Sequence, residues 1–437
     1  MGNHSDFGIS YGRCSIVVML AFLISGLCAG EGQGLTEGIP DPGIIKSRED
    51  ACYYIFCTGR GIPIHRSKDL VNWQRVGRVF ENSVPGWAAT EVPGSRNIWA
   101  PDIAYFNGKY HLYYSISTFG SQRSCIGLAT NTILDPAGKD YKWIDHGKVI
   151  ESAAGRTEFN AIDPAIFVDK DGGIYLAFGS FWDGIKMVHI DPATGKPNPV
   201  DSRLYSLARR PVHHAIEAAY IISRNDYYYL FVSFDACCDG VNSTYRVMVG
   251  RSKQVTGPYV DIEGKPMMDE GGSLVLASHE NWRGPGHNSV IQTPQGDFLV
   301  HHTYDARENR GGRNLQIRPL FWTSQGYNEG WPVAGEPLTE PPGKEAKVEP
   351  SALLGRWKHL TNYEVESTVT ILPEGRLNRP DSNDRWTFDG NTLIMRHPDK
   401  DAPNGVWLDE LHVAADGKSY VGRNQTGMVI RGIKQEQ

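Results

Sequence analysis

The sequence predicts an all-β protein with two parts, a five-bladed β-propeller followed by a small C-terminal antiparallel β-barrel or sandwich. A strand–turn–strand unit recurs five times at intervals of about 60 residues, a period typical of propeller blades. Helical periodicity is scarce along the chain. The 48 Gly, the 26 Pro and the 11% of aromatic residues are typical of β-strands joined by many tight turns.

The chain divides into four predicted segments. We expect a signal peptide over 1–30, a propeller over 31–334, a linker over 335–350 and a barrel-like domain over 351–437. The signal peptide is indicated by an apolar run after Arg13 that ends in small residues and is too short for a comfortable membrane span. The linker is rich in Pro, Glu and Lys, and short strand-like runs follow it at regular spacing.

The net charge and the predicted signal peptide indicate which partners and which location to expect for the protein. The formal net charge of −6 gives no reason to expect nucleic acid or an anionic membrane as a partner. The leader predicts a secreted protein, extracellular or periplasmic, and we expect a monomer. Five of the seven cysteines lie beyond the leader, and the adjacent Cys237 and Cys238 could form a disulfide or remain thiols.

Each repeated unit begins with a polar residue at the mouth of its first strand. In the third unit, the run Asn160–Phe167 leads into a turn and a second strand that ends at Ser180, which is the pattern of a β-hairpin. A single acidic residue at such a place could simply cap its turn. In a propeller, however, the first strands line one axis, so all five residues would converge there. The five unit starts are Asp41, Asp102, Asp163, Glu217 and His287.

Convergent carboxyl groups suggest acid–base chemistry. Glycoside hydrolysis requires two carboxyl groups on either side of the bond, one acting as an acid and the other as a base or nucleophile. Glu217, which lies among apolar and aromatic residues, is our candidate for the acid. Asp41 and Asp163 each precede a proline at the start of a strand, and one of them should be the base.

Seven motifs, one or more in every unit, resemble those of glycoside hydrolase family 43, and among its members the endo-1,5-α-L-arabinanases. The resemblance covers roughly residues 36–325 in order. The motifs are Asp41–Ile45, Trp99–Asp102, Asn160–Pro164, Gly179–Trp182, Glu217–Ala218, Gly284–Ser289 and Leu315–Pro319. The region around Gly355–Trp357 resembles, more loosely, the C-terminal β-barrel domain of extracellular arabinanases.

This resemblance implies an inverting enzyme that makes internal cuts in α-1,5-linked L-arabinan. Asp41 would activate water, Glu217 would protonate the leaving oxygen, and Asp163 would tune and orient Glu217. The resemblance also implies a cation near the axis, usually calcium, that is approached by His287 and otherwise bound by water. One departure is Pro40, where many relatives carry a histidine, so we expect the surroundings of the base or the affinity for substrate to differ.

Further candidates follow from their positions in these motifs. The resemblance does not use Asp102 as acid or base, so Asp102 is expected to be structural or to support a catalytic residue from behind it. Arg318 is expected to lie near the carboxylates and keep one of them ionised. Aromatic faces stack on sugar rings, and amide or hydroxyl groups bind sugar hydroxyls. The predicted substrate-binding residues are Trp99, Asn160, Ser180, Phe181 and Trp182.

Three alternative functions remain open on the sequence alone. An exo-acting α-L-arabinofuranosidase or β-xylosidase would share the same motifs, because the motifs do not report whether the cleft is open at both ends. A fructan-cleaving enzyme would share the fold but retain configuration through an Asp nucleophile. A propeller that binds polysaccharide without cutting it is a third possibility, against which the three filled acidic positions argue.

Overall fold

Five antiparallel sheets form a closed ring in this computed structural model, which describes residues 36–308, 312–324, 329–343 and 346–436. The expected leader, 1–30, lies outside the described residues. The first strand of each sheet contacts the first strands of both neighbouring sheets, and the fifth sheet returns to the first. The predicted five-bladed propeller is therefore confirmed, and each first strand is the innermost strand of its blade.

The blades, numbered I to V, follow one another in chain order. Blade I contains β2 (Gly43–Lys46), β3 (Tyr53–Phe56), β4 (Pro63–Ser67) and β5 (Gln74–Arg78). Blade II contains β6 (Trp99–Phe106), β7 (Lys109–Ile116), β8 (Ser124–Asn131) and β9 (Ile144–Ser152). Blade III contains β10 (Ala165–Val168), β11 (Ile174–Phe178), β12 (Ile185–Asp191), β13 (Lys196–Pro197) and β14 (Leu204–Ala208).

Blade IV contains β15 (Ile216–Arg224), β16 (Tyr227–Phe234), β17 (Arg246–Ser252) and β18 (Ser273–Leu276). Blade V contains β19 (Trp282–Thr293), β20 (Gly296–Asp305) and β21 (Arg313–Trp322). In the described part of the chain the α-helical residues form one turn, α1 (Ala88–Glu91). No helix among the described residues is long and apolar enough to cross a membrane.

Two short strands from opposite ends of the propeller complete blade V. The strand β1 (Thr36–Glu37) pairs with β21 at Leu315 and Asn314, and β22 (Pro332–Ala334) pairs with the other end of β21. The sequence did not predict this arrangement. The outer edge of blade V is thus covered by segments that come before blade I and after blade V, which closes the ring.

Aromatic and aliphatic side chains fill the spaces between neighbouring blades. Between blades I and II, for example, Tyr54 and Phe56 of β3 share one buried cluster with Tyr110 and Leu112 of β7. Near the axis the backbones themselves approach closely. A Cβ at Gly43 would lie 2.3 Å from the carbonyl oxygen of Pro101. Glycine at the start of β2 therefore allows the innermost strands of blades I and II to pack together.

The C-terminal region is a closed eight-stranded barrel rather than a sandwich. Its strands are β23 (Gly355–Thr361), β24 (Val365–Leu372), β25 (Arg376–Leu377), β26 (Arg385–Asp389), β27 (Thr392–Pro398), β28 (Val406–Val413), β29 (Ser419–Asn424) and β30 (Val429–Lys434). The predicted strand-like runs lie in β24 and β26 to β30. Propeller and barrel belong to one compact unit.

Two buried arginines of the barrel bind the propeller. The guanidinium of Arg423, which is 1% exposed, donates to the carbonyl oxygens of Pro332 and Leu274. Arg431 pairs with Glu336 at 2.7 Å and with Glu280 at 3.0 Å. An unpaired carbonyl buried at such an interface would be costly, so these contacts fix how the barrel sits on blades IV and V.

We expect Arg423→Met to destabilise the protein by about 3 kcal/mol, because the carbonyl oxygens of Pro332 and Leu274 lose their donors in a buried place. Urea unfolding monitored by tryptophan fluorescence measures the loss. The exposed Arg379 is the matched control, and Arg379→Met should change the free energy of unfolding by less than about 0.5 kcal/mol. Equal stability of the two variants would contradict this account of the interface.

Candidate active site

One residue in each blade has a left-handed backbone just before the regularly paired part of the innermost strand. Their φ values are between 42° and 55°, and the residues are Asp41, Ala100, Asp163, Ala218 and His287. Regular pairing of the innermost strand begins two residues later in every blade. The repeated unit therefore has a common bulge at the axis, which aims one side chain per blade away from the strand.

The backbone N–H at each of these five places is bound by a side chain of the preceding blade. The N–H of Ala100 donates to Thr58 Oγ1 at 2.8 Å, and that of Asp163 donates to Ser115 Oγ at 2.9 Å. The same link joins Ala218 to Asp163 Oδ2, His287 to Ser233 Oγ and Asp41 to His302 Nδ1. A continuous circle of side-chain to backbone bonds thus fixes the bulges around the axis.

This register corrects two of the five predicted unit starts. The left-handed residue of blade II is Ala100, and Asp102 lies two residues later, inside the paired part of β6. In blade IV it is Ala218, and Glu217 precedes it. Five polar side chains therefore do not occupy equivalent positions, although Asp41, Asp163 and His287 do. The sequence did not indicate a bulge at Ala100 or Ala218, because alanine rarely adopts a left-handed backbone.

Asp102 is structural, as expected. Its Oδ2 accepts the backbone N–H of Ile166 in blade III at 2.8 Å, while Oδ1 is buried without a partner among the described residues. Burial raises the pKa of Asp102 to about 7, although hydrogen bonds from backbone N–H groups act in the opposite direction. Ionisation of this carboxyl therefore opposes folding.

We expect Asp102→Asn to stabilise the protein at pH 8 and to change its stability little at pH 4. In the unfolded chain an Asp has a pKa of about 3.9, so the penalty for ionising buried Asp102 grows from pH 4 and levels off above pH 7, reaching at most about 4 kcal/mol. Melting temperatures across that range test this expectation. The exposed Asp226 is the control, and a benefit of Asp102→Asn that does not depend on pH would contradict it.

The bulges open into a cleft of about 860 Å³ that gathers the three predicted catalytic residues. Asp41, Asp163 and Glu217 all line it, and so does His287. Each of these residues comes from a different blade. Because the ring is closed, Asp41 and His287, which are 246 positions apart in sequence, line the same cleft. The structure thus brings together every residue that the sequence analysis named for catalysis, and their individual roles stay predictions.

Asp41 lies beside two histidines and one arginine. Its Oδ1 is 3.2 Å from His302 Nδ1 and 3.5 Å from His287 Nδ1, and its Oδ2 is 3.5 Å from Arg313 Nη1. Burial alone would raise the pKa of Asp41, but His287 and Arg313 outweigh it and lower that pKa well below its usual range. Asp41 is therefore ionised at neutral pH, as a group that accepts a proton from water must be.

Glu217 and Asp163 form a closely coupled pair. The side chain of Glu217 is bound by two hydroxyl groups, Tyr245 to Oε1 and Ser180 to Oε2, each at 2.7 Å. Asp163 Oδ2 accepts the N–H of Ala218, the next residue after Glu217. Burial, followed by the charges of Glu217 and Asp41, raises the pKa of Asp163 well above its usual range. Asp163 therefore tends to retain a proton.

Tyr245 was not found from the sequence. It precedes β17, and it reaches Glu217 because its ring packs directly on the backbone of blade V, where a Cβ at Gly286 would be 2.2 Å from the ring. Gly286, in the motif Gly284–Ser289, is thus needed to leave room for the ring of Tyr245. Nothing in the sequence around Tyr245 distinguishes it from a core aromatic residue.

The predicted substrate-binding residues Trp99, Asn160, Ser180, Phe181 and Trp182 all line the cleft. Phe181 and Trp182 are 38% and 41% exposed. Ser180 donates its hydroxyl to Glu217, so in this structure it supports the acid, and its predicted contact with sugar stays a prediction. Phe119, between β7 and β8, also lines the cleft and is 85% exposed, a residue that the sequence analysis missed.

The arginine beside the carboxylates is Arg313, and the prediction of Arg318 was wrong. Arg318 is fully buried, and its guanidinium donates to Gln316 Oε1 and to the carbonyl oxygen of Gly335. Arg313, at the start of the same strand, is held by Tyr304 Oη at 3.0 Å and faces Asp41. The two arginines are five residues apart on β21 and so point to opposite faces of blade V.

The donor set at His287 does not make a calcium cage. Calcium takes six to eight oxygen ligands, whereas the contacts of His287 bring one imidazole and one carboxylate oxygen of Asp41 together. In the described ranges, the one cluster of three metal-type ligands is Glu91, Cys125 and Glu151, and Arg123 and Lys148 already pair with its carboxylates. An ion at His287 would therefore depend on water for most of its ligands.

Three carboxyl groups in one axial cleft include the acid and base pair that glycoside hydrolysis requires. Residues 35–332 match Glycosyl hydrolases family 43, and the chain belongs to that family. The family resemblance seen in the motifs is therefore confirmed.

Three relatives illustrate the match. The chain is 44% identical over 301 residues to the extracellular endo-α-(1→5)-L-arabinanase 1 of Bacillus subtilis, covering 68% of this chain and 87% of that protein. It is 42% identical over 346 residues to the extracellular exo-α-(1→5)-L-arabinofuranosidase of Cellvibrio japonicus, covering 77% and 96%. The crystal structure of an endo-1,5-α-L-arabinanase from Thermotoga petrophila aligns with a TM-score of 0.75 over 92% of this chain and 99% of that one, at 23% identity, a likeness of fold.

Proposed function

We propose that this chain is a secreted, inverting hydrolase that cuts α-1,5-linked L-arabinan at internal bonds. The observation that carries the proposal is the placement of Asp41, Asp163 and Glu217 around one cleft in a family 43 propeller. Relatives named as endo-arabinanases support the substrate, and relatives named as extracellular support secretion. A monomeric state remains a prediction of the sequence.

In the proposed reaction Asp41 acts as the general base. Its ionised carboxylate takes a proton from a water molecule, which attacks the anomeric carbon on the face opposite to the leaving sugar. Arg313 and His287 keep this carboxylate charged, while the N–H of Asp41 is bound by His302. The left-handed backbone at Asp41 turns its side chain toward the cleft rather than into the strand.

Glu217 acts as the general acid and protonates the oxygen of the leaving sugar. The hydroxyls of Tyr245 and Ser180 orient its carboxyl group, and Asp163 fixes the backbone at Ala218. Burial, followed by the charges of Glu217 and Asp41, raises the pKa of Asp163 well above its usual range, so Asp163 tends to hold a proton beside Glu217. Inversion requires the acid and base carboxyls to be about 6.5–9.5 Å apart, so that a water fits between substrate and base.

A calcium ion near His287 is a further proposal, which rests on the family resemblance. His287 would supply one ligand and water the others. Dialysis against EDTA followed by a thermal melt tests it, with a lower melting temperature that calcium restores as the expected result. An unchanged melting temperature would contradict a bound structural ion.

The experiment that tests the function uses the chain with debranched linear arabinan and chromatography of early products. A ladder of arabino-oligosaccharides is expected. Proton NMR of the first product should show a β-configured reducing end, because inversion converts an α-linkage into a β-hemiacetal. Retention of the α configuration would contradict the single-displacement mechanism, and the absence of product would contradict arabinan as substrate.

Exo cleavage is the second candidate, since the Cellvibrio japonicus relative, 42% identical, is named as an exo-acting enzyme. The same chromatogram separates the two actions. Release of one short sugar from the first minutes onward, without a ladder, would favour exo action. The cleft residues would be the same in both cases, because exo and endo enzymes differ in whether the cleft is blocked at one end.

A further inference from the structure

An adjacent pair of cysteines forms a disulfide at the edge of the catalytic cleft. Cys237 and Cys238 are bonded to one another, which answers the question left open by the sequence. Cys238 is exposed and Cys237 is half-buried, whereas Cys52, Cys57 and Cys125 are buried free thiols. The disulfide lies in the disulfide loop, residues 235–243, which follows β16 in blade IV.

This disulfide has no evident role in stability. A disulfide stabilises a fold mainly by closing a long loop of the unfolded chain, and the two residues here are neighbours in sequence, so no loop is closed. It also joins no two elements of the fold. Its position must therefore be explained by what it touches in the folded protein.

The disulfide lies between the groups that serve the base and the acid. Arg313 Nη2 is 3.3 Å from Cys238 Sγ, and the same guanidinium faces Asp41. On the other side, the carbonyl of Ala236 accepts the N–H of Tyr245, whose hydroxyl binds Glu217. Both cysteines line the cleft together with these residues.

The disulfide loop is held in place at both ends. Asp235 pairs with Arg210 at 2.7 Å and with Arg246 at 2.8 Å. Further along, the N–H of Asp239 donates to Ser243 Oγ at 3.0 Å. The two sulfur atoms are thus presented to the cleft at a fixed position, which reduces the entropy lost when a ligand binds there.

On the side of blade IV, the sulfur pair supplies an apolar surface to the cleft, and no exposed Phe, Tyr or Trp from this blade is among the described lining residues. The exposed aromatic residues come from blade II, with Phe119, and from the end of β11 in blade III, with Phe181 and Trp182. Tyr245 of blade IV is only 1% exposed. Disulfide sulfur is polarisable and carries no N–H or O–H donor, so it suits the C–H face of a sugar ring.

We propose that the Cys237–Cys238 disulfide is a substrate-contacting surface of the cleft, which packs against the C–H face of a pentose residue. This inference rests on the proposed function, because the ligand is the glycan that the enzyme cuts. The disulfide binds sugar without taking part in proton transfer. Its loss should therefore weaken substrate binding and leave the chemical step largely intact.

The test compares KM and kcat on linear arabinan before and after reduction with a water-soluble phosphine. The phosphine supplies two electrons and becomes its oxide with an oxygen from water, the S–S bond breaks, and each sulfur takes a proton. We expect KM to rise about three- to tenfold on loss of the apolar contact, with kcat changed less than about twofold. The double variant Cys237→Ala with Cys238→Ala should show the raised KM without reductant and should not respond to it.

Each alternative outcome has a distinct meaning. An unchanged KM in both the reduced enzyme and the double variant would overturn the proposal. A lower melting temperature with an unchanged KM would show a structural disulfide and would also overturn it. An equal rise in KM when the double variant is treated with the phosphine would show that the phosphine acts outside this disulfide, and this would also overturn the proposal. If the oxidised enzyme releases nothing from arabinan, the proposed function itself fails, and the sugar contact fails with it.

Discussion

Glu217→Gln is expected to lower kcat on linear arabinan by about 10³-fold or more, because an unactivated sugar cannot leave without a proton from the general acid. The glutamine has nearly the same shape and can still bind the hydroxyls of Tyr245 or Ser180, so KM and the melting temperature should change little. Initial rates of reducing-sugar release give the result. The exposed Glu81→Gln is the matched control and should match the wild type.

A leaving group that needs no proton separates the acid role from a general structural role. On an aryl arabinoside with a strongly acidic phenol as leaving group, Glu217→Gln should lose far less activity than on arabinan. An equal loss on both substrates would show that Glu217 is required for something other than protonation, and the assignment of the acid would then be wrong.

Asp41→Asn is expected to lower kcat by about 10³- to 10⁴-fold on both arabinan and the aryl arabinoside, because every substrate needs the activated water. Asparagine is the appropriate replacement, since the residue has φ of 52° and asparagine tolerates a left-handed backbone better than alanine does. Rates on the two substrates measured side by side distinguish the base from the acid. The exposed Asp171→Asn is the matched control.

Azide provides a second readout for the base. This anion attacks without the removal of a proton, so it should partly restore turnover of the aryl arabinoside by Asp41→Asn and yield a β-arabinosyl azide. It should not restore Glu217→Gln on arabinan. An α-configured azide, or the absence of rescue in a variant that keeps its fold, would contradict the assignment of Asp41.

Much of this architecture could be predicted from the sequence because the information is local. Each hairpin carries its own alternation and turn residues, so five similar hairpins indicate five blades. Two of the three carboxylic acids are found in the same way, since Asp41 and Asp163 both lie in an Asp-Pro pair that begins a unit. The predicted strand-like runs of the C-terminal region also lie in strands of the barrel, β24 and β26 to β30.

The rest depends on register, which the sequence does not show. Arg313 and Arg318 are both on β21, and which one faces Asp41 is decided by the alternation of side chains from a starting point that only the pairing with β20 fixes. The bulges at Ala100 and Ala218 could not be predicted either, because the neighbouring blades rather than the residue type impose the left-handed backbone. Tyr245 reaches Glu217 only through the packing of two blades.

The closure of blade V has a consequence for the order in which the ring can be completed. The pairing of β1 with β21 joins residues 36 and 315, the most distant partners in the propeller, so a growing chain cannot form it until almost the whole ring has been synthesised. The strands that close the ring are also short, because β1 has two residues and β22 has three. Local opening should therefore begin at this seam, and hydrogen exchange should be fastest there among the blade edges.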